Sequence, residues 1–304
     1  MPVPDEVARL VTSAAERIRV SPATGTESMP EARADAIELL DMATGGATAD
    51  RAPTREERAA FDGLLRRRLR GEPMALLRGN VEFMGMELTV EPGVFAPRSS
   101  TTALVTAAVN RLRARRAPTA VDVATGAGPV ALGVGRAVAR ARVVGTDVSP
   151  DAVRVARANA RRLHLTNVSF RRGDVLRGLP STLRGHVDVI TCHPPYVPTG
   201  EVDQLPDEVS RYEPAHTLTD GSPDGLGMVR DLAGAAGLWL RPGGWLLVEV
   251  SPDRARGAAT AFRRHLTEVS VSGARGDVTR IVAAQAARRT AGHDATQGAR
   301  RLLP

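Results

Sequence analysis

Near the amino terminus, apolar positions recur every three to four residues. They do so in "VARLVTSAAERI" (7–18), "EARADAIELLDMA" (31–43) and "REERAAFDGLLRRRL" (55–69), the spacing of one helix face. "GTES" before the second run and "APT" before the third supply capping residues and a proline near the helix start. Around Val81 the period changes from helical to alternating. "VEFMGMELTV" (81–90) alternates and is broken by glycine, as a short hairpin would be. "EPGVFAPRSST" (91–101) then reads as a proline-rich turn into a helix, "TTALVTAAVNRL" (101–112).

From Ala120 the rhythm is strand, glycine turn, helix. "AVDVA" precedes "TGAGPVALGVGRAV", and "ARVVGTDVS" precedes "PDAVRVARANARRL". "VSFRRGDV" is followed by "HVDVITC"; "DGLGMVRDLAGAAGLWL" is a helix expected to stop at "RPGG"; "WLLVEVS" is a further strand. This alternation predicts an α/β fold with a parallel sheet covered by helices on both faces. The expected organisation is a helical domain over 1–80, a hairpin and linker helix over 81–118, and an α/β domain over 119–287. The tail 288–304 is aperiodic and expected to be disordered.

The loops at strand ends carry the candidate chemistry. "VDVATGAGPVAL" (121–132) sets glycines between a strand and a helix, where a tight turn lets backbone approach a ligand. Asp147 ends the next strand, about twenty residues on, in the position of a carboxylate that accepts hydrogen bonds from ribose hydroxyls. Ser149 and Pro150 already serve as helix cap and first helical residue. Asp174 ends a third strand and either meets an adenine amino group or caps a turn. A dinucleotide loop offers G-x-G-x-x-G to a pyrophosphate, but here Asp122 precedes Ala124, Gly126 and Gly128. An acidic side chain there repels pyrophosphate and suits a cationic ligand. The ligand expected is S-adenosylmethionine, leaving S-adenosylhomocysteine, and the fold class is a Rossmann-like class I methyltransferase.

One stretch raises a separate question. "TCHPPYVP" (191–198) ends a strand with two prolines, which cannot donate to a ladder and hold the chain extended. It carries His193 and Tyr196 to the place where open α/β sheets bind ligands.

Composition adds limits. In 304 residues, hydrophobic positions make up 42 % and charged ones 25 %, an ordinary globular balance. No stretch of about 18 apolar residues is present, the amino terminus does not resemble a secretory signal, and the one cysteine, Cys192, fits a reducing cytoplasm. The net charge is +7, and all 41 basic residues are arginine. They are scattered, which reads as solvated surface and argues against nucleic acid as the direct substrate. No Cys/His cluster has metal spacing, so no metal is expected.

Several separated motifs agree in order with one family. "RRRLRGEPMALLRGNVEFMGMELTVEPGVFAPRSST", the glycine loop, "GTDVSPDAVRVARANARRL", "HPPYVP", "RYEPAHTLTDGSPDGLGMVRDL" and "LRPGGWLLVEVS" together resemble the HemK/PrmC family over roughly residues 34–280. That resemblance implies methylation of a glutamine side-chain amide in a protein, typically a release factor. It assigns the glycine loop to Asp122, Ala124, Gly126 and Gly128, the ribose acid to Asp147 and the adenine side to Asp174. Pro97 and Arg98 join the cofactor set. The N-P-P-Y loop falls on His193, Pro194, Pro195 and Tyr196, where the first side chain and the following proline carbonyl hold the acceptor amide. Near-attack alignment is what such chemistry needs.

Three positions depart from that pattern. His193 replaces asparagine; its Nδ1 is placed to accept the amide N–H, the ring is able to take a proton, and the bland alternative is simple packing. Ala124 replaces a glycine, which requires a negative φ. "APRSSTT" lacks the acids usual after Pro-Arg, since Ser99 and Ser100 stand there. The alternative function is a small-molecule methyltransferase with His193 adapted to another acceptor; a base methyltransferase and a non-catalytic binding protein fit less well. Tyr196 is expected to stack on the acceptor, line the cofactor pocket or pack in the core; Cys192 to be a buried small hydrophobe; His216 to lie on a surface loop; and Glu249 to pair with an arginine.

Overall fold

The computed structural model describes residues 3–26, 28–47, 51–274 and 276–287. The expected tail, 288–304, lies outside them. The three amphipathic runs are helices α1 (Val3–Val20), α2 (Met29–Thr44) and α3 (Arg55–Leu69). Ser28 caps α2, and Thr54 with Glu57 forms a reciprocal capping box on α3. Ile18, Leu39, Phe61 and Leu65 close a core of their own between these helices. A short helix α4 (Met74–Arg78) leads to the hairpin β1 (Asn80–Phe83) and β2 (Met86–Thr89), and α5 is Thr102–Leu112.

The sheet begins at β3 (Thr119–Val123), followed by α6 (Pro129–Ala137), β4 (Arg142–Asp147), α7 (Pro150–Arg162), β5 (Val168–Arg172) and β6 (Val187–Cys192). Ser149 caps α7 through the Ala152 amide, with Pro150 in its first turn. After β6 come short helices α8 (Asp207–Ser210) and α9 (Ala215–Leu218), then α10 (Gly227–Trp239), β7 (Leu240–Val250), α11 (Ala255–Arg263), β8 (Thr267–Ser272) and β9 (Arg280–Gln285). The seven-stranded order is β5-β4-β3-β6-β7-β9-β8. β9 runs antiparallel to both β7 and β8, so the sheet is mostly but not wholly parallel. The "RPGG" segment lies inside β7 rather than between helix and strand, with Gly243 at φ +73°.

Helices cover both faces. On one side α10 and α11 bury Val229, Leu232, Ala258 and Phe262; on the other, α5, α6 and α7 bury Leu104, Leu132 and Val153. Phe83, Met86 and Leu88 of the hairpin join this second core. Asn159 of α7 fastens the hairpin: its Oδ1 accepts from the Thr89 amide, and its Nδ2 donates to the carbonyls of Thr89 and Ala127.

The helical part is joined to the segment after β6 through Arg68. This guanidinium, 4 % exposed, donates to Asp35, to Glu208 of α8, to the Thr24 carbonyl and to the Thr26 hydroxyl. The Tyr212 hydroxyl donates to the Arg70 carbonyl beside it. Removing one partner of such a buried network strands the other charges, so Arg68→Ala is expected to cost about 3 kcal/mol. Urea unfolding measures this; a loss below ~0.5 kcal/mol would show that the network contributes no net stability.

Candidate active site

The chain leaves β3 through a turn with three residues at positive φ: Ala124 (+53°), Gly126 (+55°) and Gly128 (+91°). The negative φ expected for Ala124 is therefore incorrect. An alanine occupies a left-handed conformation that glycine adopts at lower cost. The turn holds because the Thr125 amide donates to the Thr146 carbonyl at 3.0 Å and the Thr125 hydroxyl donates to Asp122 at 2.6 Å. Gly128 serves packing: a Cβ there would meet the Phe170 ring at 2.9 Å.

Two carboxylates frame this turn. Asp122 is buried and accepts from the hydroxyls of Thr125 and Thr191. Burial raises its pKa to about 6 against the opposing effect of those hydroxyls. Asp147 accepts from the amides of Gly126 and Ser149, both at 2.9 Å, so the same carboxylate that faces the cavity also shapes the loop. Asp174 stands apart. It is exposed, pairs with Arg177 at 3.2 Å and does not line the cavity, although its neighbours Gly173 and Val175 do.

Opposite this turn, β6 delivers the diproline loop. Pro194 and Pro195 are buried, and the loop is held by the Val197 amide donating to the Leu218 carbonyl and by a bridge between Tyr196 and Thr219. The His193 ring stacks on Tyr196 at 5.7 Å and meets Phe95 edge-on at 5.8 Å. Its Nδ1 lies 3.3 Å from the Thr101 hydroxyl and 3.9 Å from Glu249. Nδ1 is thus turned into the protein, contrary to the expectation that it would meet the acceptor; Nε2 has no protein hydrogen bond among the described residues. Burial lowers the His193 pKa, Glu249 opposes this, and Arg98 adds to it. Burial raises the Tyr196 pKa.

Among the described residues Glu249 does not pair with an arginine. It is fully buried at the end of β7 and accepts from the Ser100 hydroxyl at 3.0 Å. Pro97 and Arg98 line the cavity, but the Arg98 guanidinium donates to Glu213 at 3.0 Å and lies 4.8 Å above the Phe95 ring. Burial lifts the Glu213 pKa to about 7 despite that neighbour. Cys192 is buried, and its thiol pKa is pushed up by burial, as suits an inert small side chain. His216 is exposed yet lines the cavity mouth. Thr101, Ser100 and Glu249 escaped the sequence reading as site residues. The one available signal was an acidic residue closing the apolar run "WLLVEV".

The cavity between these walls measures about 500 Å³ and is lined by the turn, both carboxylates and the diproline loop. Its acidic side holds Asp122 and Asp147, and its one arginine, Arg98, is engaged by Glu213. Such a lining suits a cationic ligand with ribose hydroxyls and offers little to a pyrophosphate. No cluster of metal-ligating side chains is found among the described residues.

Fold and site together define an S-adenosylmethionine-dependent methyltransferase. A family model described as a methyltransferase domain matches residues 115–238. The T. thermophilus 16S rRNA N2 G1207 methyltransferase, solved with AdoMet and guanosine, shares the fold, with TM-score 0.50 and 19 % identity over 68 % of this chain and 49 % of that one. A release factor glutamine methyltransferase of Geobacter sulfurreducens is 37 % identical over 69 % of this chain and 71 % of its own length. One of Bordetella pertussis is 38 % identical over 68 % and 74 %. The chain belongs to the release factor glutamine methyltransferase family.

Two outcomes follow from the carboxylates. Asp147→Ala removes a cavity-lining carboxylate and the clasp on the Gly126 amide. It should weaken donor binding at least ~100-fold by calorimetry; unchanged affinity would refute the pocket assignment. For Asp122, the folded pKa of about 6 exceeds the ordinary carboxylate value, so its protonated form favours folding. That contribution is complete below about pH 4 and is lost as pH rises through about 6. Asp122→Asn should therefore stabilise the free protein by about 2 kcal/mol at pH 8, with a smaller gain at pH 5, while weakening donor binding. Thermal unfolding at the two pH values checks the sign; an equal effect at both would contradict it.

Proposed function

We propose that the protein methylates the side-chain amide nitrogen of a glutamine in a peptide chain release factor. The observation that carries this reading is the buried Pro194–Pro195 segment, which sets a hydrogen-bonding side chain and a carbonyl beside a donor-sized cavity. The bound donor supplies a methyl group already activated by its sulfonium. The chain's own task is alignment: His193 and the Pro194 carbonyl take the amide hydrogens and turn the nitrogen lone pair toward the cavity. Tyr196, stacked on His193, limits the ring's rotation. Asp122 receives the donor's ammonium, Asp147 its ribose, and the turn from Ala124 to Gly128 its close approach; Pro97 and Arg98 close the other side.

Residues 1–80 serve as the protein-recognition part, 81–118 as the hairpin and linker helix, and 119–287 as the catalytic part. What supports this division is that α1–α3 have their own core and reach the segment after β6 through Arg68 and Tyr212. No described helix is long and apolar enough to cross a membrane, and the reading places the enzyme in the cytoplasm with its substrate. A small-molecule acceptor would leave that helical part without a task.

Incubation with methyl-labelled donor and a bacterial release factor should place one methyl on one glutamine, located by peptide mass spectrometry. His193→Ala should lower kcat on the order of 100-fold with donor affinity kept within about twofold. Label entering only RNA or metabolites of a cell extract, or full turnover by His193→Ala, would reject the reading.

A further inference from the structure

One buried carboxylate has an unmet requirement. Glu249 is fully buried, and while its Oε1 accepts from Ser100, its Oε2 has no hydrogen-bond partner. An interior carboxylate oxygen without a donor is costly and persists where something else requires it. Within reach is the ring of His193, whose Nδ1 lies 3.9 Å from Oε2. That is about 1 Å beyond hydrogen-bond length, a gap that a small shift of either side chain would close.

Strand register makes this juxtaposition a property of the fold. Cys192 of β6 is paired with Val248 of β7, so His193, just past β6, and Glu249, within β7, stand side by side. Both neighbours of Nδ1 are oxygens: the Thr101 hydroxyl at 3.3 Å and the Glu249 carboxylate. An ionised carboxylate only accepts, so a proton on Nδ1 satisfies it and leaves the lone pair on Nε2. Nε2 is the ring nitrogen without a protein partner among the described residues.

We propose that Glu249 is a positioning residue for His193: it holds the imidazole as the Nδ1–H tautomer, so that Nε2 receives the proton given up by the acceptor amide. This rests on the reading above, in which His193 presents that amide, and adds the path of the proton. In the transfer, the nitrogen electron pair forms the bond to the methyl carbon. The methyl–sulfur bond breaks and its electron pair stays on sulfur, neutralising the sulfonium. One amide N–H bond breaks, its electron pair returns to nitrogen, and the proton passes to Nε2. The imidazolium so formed stands beside the Glu249 carboxylate until it returns the proton to water.

The surroundings suit a base that rests neutral. Burial and the Arg98 guanidinium both disfavour a charged ring, while Glu249 favours it. Tyr196 of its own loop stacks on the ring, and His216 of α9 lines the same cavity. An asparagine at this place holds the amide but accepts no proton; a histidine does both, provided its tautomer is fixed.

Nitrogen-15 NMR of the histidine-labelled full-length protein tests this without donor or acceptor, His193→Ala identifying the signal. The wild-type ring should show the Nδ1–H tautomer. Glu249→Gln offers an amide N–H to Nδ1 and should switch the ring to Nε2–H, with a lowered His193 pKa. In turnover, Glu249→Gln should lower kcat on the order of 100-fold while acceptor KM and donor affinity stay within about twofold. Combined with His193→Asn, it should cost nothing further. An Nε2–H ring in the wild type, or unchanged tautomer and titration in Glu249→Gln, would overturn the proposal; should that variant not fold, the wild-type spectrum decides. Failure to methylate a release factor would instead sink the substrate reading and leave the tautomer result standing.

Discussion

The site depends on the alignment of three parallel strands at their carboxyl ends. Val123 of β3 is paired with Cys192 of β6, and Cys192 with Val248 of β7. From β3 the chain winds outward through β4 and β5 and returns to β6 on the other side, so the strand order reverses between β3 and β6. Loops on the two sides of such a reversal part from each other and open a crevice. Ala124, His193 and Glu249 are the next residues of the three strands. Slipping any strand by one residue would send its next side chain to the opposite face. Turn, histidine and carboxylate therefore form one geometric unit, set by hydrogen bonds between buried apolar residues.

That unit places carboxylates where water is scarce. Asp122 and Glu213 are held with pKa values of about 6 and 7, in both cases chiefly by burial. Near neutral pH each therefore opposes folding, and the surrounding helix-covered sheet offsets the cost. The gain lies in binding. Asp122 and Asp147 repel each other across the turn, and a cation seated beside them would offset that repulsion. A site that is unfavourable when unliganded is one that favours binding of a positive charge.

Elements whose own sequence period decides their state were legible: α1–α3 from their apolar faces, the hairpin from alternation around Gly85, and the glycine turn and Asp147 from spacing. What stayed hidden was set by neighbours. β8 does alternate, with Val269 and Val271 set between polar residues, but it is exposed along most of its length, so that short alternation marks no buried face. Ala124 lies in a left-handed turn because Thr125 and Asp122 hold it there, which residue type alone does not reveal. Asp174 lies two residues past the end of β5, whose Arg172 is the residue registered against Asp147, and it pairs with Arg177 outside the cavity. The facing of His193 Nδ1 and the partner of Glu249 both follow from register, and register joins residues 56 positions apart in the chain.

The segment between β6 and α10 links the helical part to this unit. Glu208 meets Arg68, Tyr212 meets Arg70, and Glu213, five residues after Glu208, receives Arg98. Arg98 in turn lies over Phe95, whose ring meets His193 edge-on. The same segment returns to the diproline loop through Leu218, which accepts from Val197. One short stretch thus touches the helical part, the arginine beside the histidine and the loop that carries the histidine. A macromolecular acceptor seated on the helices would rest on the element that positions His193. This physical connection, more than the histidine's identity, ties the amino-terminal helices to the diproline loop at the end of β6.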